Sequence, residues 1–414
     1  MSRNVRLACV VGTRPEVVKM APVVLRLRRP GSGFDVCVLA TGQHRELLDV
    51  ALADFGLKAD ADLALMRPGQ SLAELTARAL TALTDWLDQE SPDFVLAQGD
   101  TTTVLAAALA CQYARIPFGH VEAGLRTGDP GSPFPEEMNR VVAGQLAEIH
   151  FAPTASARRN LLREGIAPGS VHVVGNPVID ALRMIADREV RLPLAPTGKR
   201  FLLVTTHRRE SFGAPLEGIC QALTLLVRRF EDLSVVFPVH PNPKVRAVVE
   251  ARLGGIDRVH LIDPVGYAGF VGLMKAAALI LTDSGGVQEE APALGKPVLV
   301  LRDRSERPEA IASGAARLVG TRPAEIVSAA ERILDRPEPL LFPFKSPYGD
   351  GLAAERIAHL LAGRFGLDAG AEPPGLWNWP EEVVRRPHFR QSRGDRVGAD
   401  RRTFYVPFDL DDSG

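Results

Sequence analysis

The stretch VRLACVVGTRPEVVKMAPVVLRLR, Val5–Arg28, decides how the rest of the chain is read. Seven residues, Val5–Val11, are nearly all apolar, which predicts a strand buried on both faces. Gly12 permits a tight turn, and Pro15 suits the first turn of a helix. A helix over Glu16–Arg28 follows. Arg14 and Lys19 lie at its N-terminal end, where an anion is favoured. They either clamp a phosphate or neutralise a nearby carboxylate; a capped helix with two solvated charges is the plain alternative. The turn has neither GxGxxG nor a Walker motif, so nicotinamide and P-loop readings fail here.

The same unit then repeats. Strands are expected at Phe34–Ala40, Phe94–Ala97, Pro117–Glu122, Glu148–Ala152 and Val171–Val174, with helices such as Leu72–Gln89 and Thr103–Tyr113 between them. Repeated β-α-β implies a parallel sheet wrapped by helices. A Pro- and Gly-bearing linker, 191–199, precedes a second series of strands at Phe201–Thr205, Val235–Val239, His260–Ile262, Leu279–Thr282, Val298–Leu301 and Arg317–Val319. The expected fold is therefore α/β, with two Rossmann-like domains, 1–190 and 191–365. An extension, 366–414, carries Trp377, Trp379 and seven arginines between Arg385 and Arg402. It reads either as a segment packing on the body or as a partly ordered arm.

The whole chain of 414 residues fits two or more domains. Its 49 Lys and Arg against 50 Asp and Glu leave no field for nucleic acid or an anionic membrane. Asp395 and Asp400 interrupt the arginines of the extension. Cys9, Cys37, Cys111 and Cys220 are widely spaced, which fits neither a disulfide framework nor a zinc site. The first three read as buried thiols. Without a signal-peptide pattern or an apolar run of about 18 residues, a cytoplasmic protein is expected. No metal or cofactor is expected.

Polar residues cluster at the strand ends, where open parallel sheets bind ligands. Asp100 follows one strand and is also a good helix N-cap. Glu122 ends another strand, on the face opposite Val121, and Glu136 opens a helix. Three carboxylates converging from three loops would raise each other's pKa, which suits acid–base work. In the second half His207 ends a strand as a proton carrier or phosphate donor, or as a satisfied core histidine. Thr282–Ala291, TDSGGVQEEA, is the most telling segment. Its Ser284-Gly285-Gly286 turn offers backbone N–H groups to a diphosphate at a helix start. Glu290, one turn on, suits ribose hydroxyls. Arg307 adds a cation at the same edge.

Nine segments carry a resemblance: GTRPEVVKMAP, TGQHRELLD, GDTTT, HVEAGLRTGD, SPFPEEMNR, HRRESFG, VHPNP, TDSGGVQEEAPALGKPV and ERPEA, in this order. Between Val5 and Gly363 the chain resembles the non-hydrolysing UDP-N-acetylglucosamine 2-epimerases, a family of GT-B architecture. The resemblance implies that Arg14, Lys19, His207, Ser284, Gly285 and Gly286 hold the diphosphate, that Arg307 supports it and that Glu290 binds the ribose. It implies backbone contacts to uracil near Val265 and Phe270, with Asp100, Glu122 and Glu136 around the sugar. The implied reaction inverts C2 through loss of UDP and its return. A UDP-sugar substrate and a homodimer are implied as well.

Gln43, Arg209 and His240 match the region where relatives bind an activating second substrate molecule. Glu46 and Gly69 depart from the glutamine and arginine found there, which argues against such activation. Three other readings stand beside the epimerase. A hydrolysing relative would release N-acetylmannosamine and UDP. A GT-B glycosyltransferase would need an acceptor site. A non-enzymatic sugar-nucleotide sensor would bind without turnover.

Overall fold

The structure is a computed structural model that describes residues 4–42, 45–67, 69–188, 192, 199–206, 208, 211–305, 307–335 and 346–368. The linker, apart from 192 and 199, and the extension beyond 368 lie outside the described residues. So do His207, Gln43 and Arg209.

Two parallel sheets with intervening helices form the expected GT-B frame. The first contains β1 (Val5–Val11), β2 (Phe34–Ala40), β3 (Ala61–Asp62), β4 (Phe94–Gln98), β5 (Phe118–Val121), β6 (Ile149–Ala152) and β7 (Val171–Val173). Its spatial order is β3-β2-β1-β4-β5-β6-β7. The second contains β8 (Arg200–Thr205), β9 (Leu233–Pro238), β10 (Val259–Ile262), β11 (Leu279–Thr282), β12 (Val298–Val300) and β13 (Ala316–Leu318). Its order is β10-β9-β8-β11-β12-β13. Continuous apolarity is accounted for directly: β4, β5 and β11 are buried at every position, with helices on both faces.

In each sheet the chain reverses its direction of winding once, between β1 and β4 and between β8 and β11. Open parallel sheets bind ligands at such reversals, outside the strand C-termini. The GTRPE turn follows β1 and Gly99-Asp100 follows β4; Ser284-Gly285-Gly286 follows β11. The topology thus brings segments far apart in sequence to the two switch points.

The helices that matter for the site are α1 (Arg14–Leu27), α2 (Arg45–Asp54), α3 (Leu72–Glu90), α4 (Thr102–Ala114), α5 (Glu136–Leu146), α6 (Ala155–Arg163) and α7 (Pro177–Ala186) in the first half. The second half holds α8 (Ala214–Arg229), α9 (Pro243–Leu253), α10 (Tyr267–Ala276), α11 (Gly285–Ala293), α12 (Pro308–Ala312), α13 (Pro323–Leu334) and α14 (Ala353–Arg364). The α7 helix touches α1 and α14 on one side and α10 and α11 on the other. One apolar cluster accordingly runs from Leu7 and Val17 through Val178 and Leu182 to Val271 and Val287.

The last helix of the stretch grouped with the second unit, α14, lies against helices of the first half. Helix α14 packs on α1 and α7. Ile357 and Leu361 are buried there, and Phe365 meets Phe34 and Phe94 edge-on at 6.5 and 6.1 Å. Asp180 of α7 accepts the Ala353 and Ala354 N–H groups at 3.2 and 2.9 Å, capping α14 from a distant helix. An amphipathic helix goes where its apolar face is covered, and periodicity alone does not say where that is. Among the thiols, Cys9, Cys111 and Cys220 are buried, whereas Cys37, expected buried, is half-buried at the β2 surface. No helix among the described residues is long and apolar enough to cross a membrane.

Candidate functional site

The first switch point is held by Glu16. Its carboxylate accepts the N–H groups of Gly12 at 2.8 Å and Thr13 at 2.5 Å, and the Thr101 hydroxyl at 2.6 Å. One buried side chain therefore ties the turn after β1 to the turn that carries Asp100. Gly12 is required there: a Cβ would stand 2.3 Å from Thr103 Oγ1 and 2.6 Å from Thr41 Oγ1. Arg14 reaches across the cleft and donates to the Val265 carbonyl at 2.9 Å.

Glu122 directly follows β5 in the left-handed region, at φ 64°. Its direction is thus set by a turn, and not by the strand alternation that the sequence suggests. It is 7% exposed, and both carboxylate oxygens are occupied. Lys19 Nζ lies 2.6 Å from Oε1 and 2.7 Å from Oε2. The Asn176 amide donates to Oε1 at 2.9 Å, and the Gln98 amide donates to Oε2. Arg307 stands 3.8 Å away. Burial opposes the charge, yet Lys19 and Arg307 hold the carboxyl below its usual range. Lys19, buried, is thus paired with a carboxylate in this structure.

Asp100 is more open and has its own cation. Arg140 of α5 pairs with it at 2.7 Å, and the Asn139 amide donates to the Asp100 carbonyl at 2.9 Å. Burial raises its carboxyl, Arg140 opposes, and Glu122 and Glu136 add to the rise. Glu136 is half-buried in the first turn of α5. Mutual repulsion is therefore not what governs the acids. Glu122 is lowered because Lys19 and Arg307 outweigh its burial, and burial dominates at Asp100.

At the second switch point Arg307 lies flat against Gly285. A Cβ there would meet the guanidinium at 2.3 Å, so only glycine admits this approach. Arg307 Nε donates to Glu289 Oε1 at 2.5 Å, one turn along α11 from Gly285. Glu290 is buried and accepts the Tyr267 hydroxyl at 2.7 Å. Burial pushes its carboxyl up to about 7, with the Tyr267 hydrogen bond opposing. Ser284 N–H donates to Thr282 Oγ1 at 2.9 Å. Phe270 sits on α10 beside Tyr267 and packs, partly buried, against the shared core. His240 is half-buried after β9, and its Nδ1 accepts from Asn242 N–H at 3.2 Å.

The structure thus brings Lys19, Glu122, Glu290, Arg307 and the double-glycine turn to one cleft, with Asp100 and Glu136 at its edge. Sequence reading passed over three members. Glu289 was overshadowed by its neighbour Glu290. Asn176 carries a local signal, an N-cap before Pro177 after β7. Tyr267 shows none beyond its place at the start of α10. Among the described residues no group of three or more His, Cys, Asp or Glu side chains is arranged to hold a metal ion.

The model of the UDP-N-acetylglucosamine 2-epimerase family matches residues 27–362. The chain belongs to that family. It is 50% identical over 369 residues to the UDP-N-acetylglucosamine 2-epimerase of Yersinia pestis, covering 86% of this chain and 98% of that one. The Neisseria meningitidis UDP-GlcNAc 2-epimerase bound to UDP-GlcNAc superposes with a TM-score of 0.80 at 43% identity, over 86% of this chain and 100% of that one. The Staphylococcus aureus MnaA–UDP structure gives 0.84 at 42% identity, over 90% and 100%. The family model's match begins at the end of α1 and ends within α14, so it leaves β1 and the extension beyond 368 outside.

Proposed function

We propose that this family member interconverts UDP-N-acetylglucosamine and UDP-N-acetylmannosamine without hydrolysis. A carboxylate removes the C2 proton while the C1–O bond breaks and its electron pair leaves with UDP. The bound intermediate is 2-acetamidoglucal. UDP then re-forms the C1–O bond, and a proton reaches C2 from the opposite face. The C2 proton is weakly acidic, so departure of UDP drives the step, and its developing charge needs fixed donors.

The observation that carries the reading is the approach of Arg307, which lies against Gly285, to within 3.8 Å of Glu122, and it supports leaving-group donors beside a proton-handling group. Arg14, His207, Arg307 and that turn would hold the diphosphate, Glu290 the ribose, and backbone near Val265 and Phe270 the uracil. Lys19, paired with Glu122, would keep that carboxylate ionised. Asp100, Glu122 and Glu136 would surround the sugar. Opposite environments at Asp100 and Glu122 support different carboxylates serving the two faces. The relatives named above that carry UDP or UDP-GlcNAc support the ligand class. A cytoplasmic homodimer belongs to the same proposal.

A proton NMR time course on UDP-N-acetylglucosamine in deuterated water tests it. The expected result is UDP-N-acetylmannosamine with deuterium at C2. Accumulation of free N-acetylmannosamine and UDP would replace the reading by the hydrolytic one, and absence of any product would remove it.

A further inference from the structure

The proposed reaction uses Glu122 and Arg307 but gives no part to Glu289 and Asn176, which lie between them. Glu289 is fully buried. One oxygen takes Arg307 Nε at 2.5 Å, and the other takes the Asn176 amide at 2.5 Å. The same Asn176 nitrogen donates to Glu122 Oε1 at 2.9 Å. Its orientation is fixed from behind, because Asn176 Oδ1 caps α7 by accepting Val178 N–H at 3.1 Å. Both amide hydrogens are therefore committed to the two carboxylates. Asn176 N–H also donates to the Tyr348 carbonyl at 2.6 Å. Two acids, two cations and one amide form a buried, charge-balanced chain, Lys19–Glu122–Asn176–Glu289–Arg307, that crosses from the first sheet to the second.

We infer that Asn176 and Glu289 are positioning residues that couple the proton-transfer end of the site to its leaving-group end, Glu289 by seating Arg307 against Gly285 and Asn176 by holding Glu122. This rests on the epimerase reading. Burying a carboxylate costs several kcal/mol unless it is paired, so a merely structural role would be filled as well by an apolar residue. Glu289 instead stands where its loss releases a guanidinium from the double-glycine turn. Its charge is faced by Arg307 from the loop before α12, Lys19 from α1, Glu122 after β5, Glu290 on α11 itself, Asn176 at α7 and Tyr348. Burial raises the Glu289 carboxyl, with Arg307 and Lys19 opposing.

Asn176→Ser and Glu289→Gln in the full chain test the inference. Serine keeps the cap on α7 but lacks the amide donor. In Asn176→Ser, kcat on UDP-N-acetylglucosamine should fall about tenfold, the order expected for one charge-assisted hydrogen bond, while UDP affinity by calorimetry stays within about twofold of wild type. In Glu289→Gln, kcat should fall about tenfold, UDP should bind about tenfold more weakly, and the acid limb of the kcat profile should move to lower pH, because one negative charge beside Glu122 is gone. Wild-type kcat in Asn176→Ser, or an unchanged pH profile and UDP affinity in Glu289→Gln, would overturn it. Should Glu289→Gln fail to fold, Glu289→Asp, one methylene short of Arg307, carries the same expectation for UDP affinity. A wild type that binds UDP but turns nothing over defeats the epimerase reading instead, and the UDP titration of the Glu289 variant still decides whether Glu289 seats Arg307.

Discussion

Lys19 Nζ sits 2.6 Å from one oxygen of Glu122 and 2.7 Å from the other, inside a pocket where both side chains are buried. Lys19 comes one turn into α1, and Glu122 from the left-handed turn after β5. The pair keeps Glu122 ionised despite its burial, and Glu122 in turn holds Lys19 above the usual lysine range against desolvation. Lys19→Met removes the principal opposing charge, so burial then raises the Glu122 carboxyl. The acid limb of kcat should move to higher pH, and turnover at pH 7 should fall by on the order of 10²-fold. A pH–rate profile that superposes on wild type would show that Glu122 does not depend on Lys19.

Asp100→Asn, Glu122→Gln and Glu136→Gln each remove a proton-carrying group while keeping its shape. Turnover should fall by on the order of 10²-fold or more in each, with UDP still bound. Calorimetry with UDP alongside the NMR assay separates lost chemistry from lost binding. Wild-type rates in all three would refute the assignment.

The Tyr267 hydroxyl opposes the burial-driven rise at Glu290, as Lys19 and Arg14 do. In Tyr267→Phe the Glu290 carboxyl should rise above its present value of about 7 and be largely protonated at neutral pH. KM for the UDP-sugar should increase several-fold at pH 6.5 and less at pH 8.5, on the order of one lost hydrogen bond. Equal KM values for variant and wild type at both pH values would mean that Glu290 does not bind substrate.

Gly285→Ala places a methyl 2.3 Å from the Arg307 guanidinium. Arg307 must then leave the turn, and UDP should bind about tenfold more weakly. Titration of the purified variant with UDP reads this directly; unaltered affinity would place the diphosphate elsewhere.

Asp180 caps α14 from α7, and burial pushes its carboxyl up to about 6. An unfolded aspartate titrates near about 4, so the folded state binds the extra proton between those values. Relative to Asp180→Asn, which cannot titrate, the wild type should gain stability as pH falls through 6 and level off near about 4. Urea midpoints of the two proteins at pH 4.5 and 7.5 check the sign. A difference that is constant with pH, or that grows with rising pH, would contradict it.

The sequence alone established the two series of β-α-β units, because buried strands and amphipathic helices are local periodicities. It also marked the strand ends that meet at the cleft, since glycine turns, N-caps and charged residues stand out against apolar runs. Lys19 and Glu122 were legible one by one, yet their pairing was not, being a contact between positions 103 apart in the chain. The winding reversals at β1/β4 and β8/β11 decide which turns meet. Long-range packing likewise seats α14 on α1 and α7, and sets Glu289 and Asn176 between the two sheets. Such contacts depend on which buried surfaces and charges find partners in three dimensions, and that information is distributed over the whole chain.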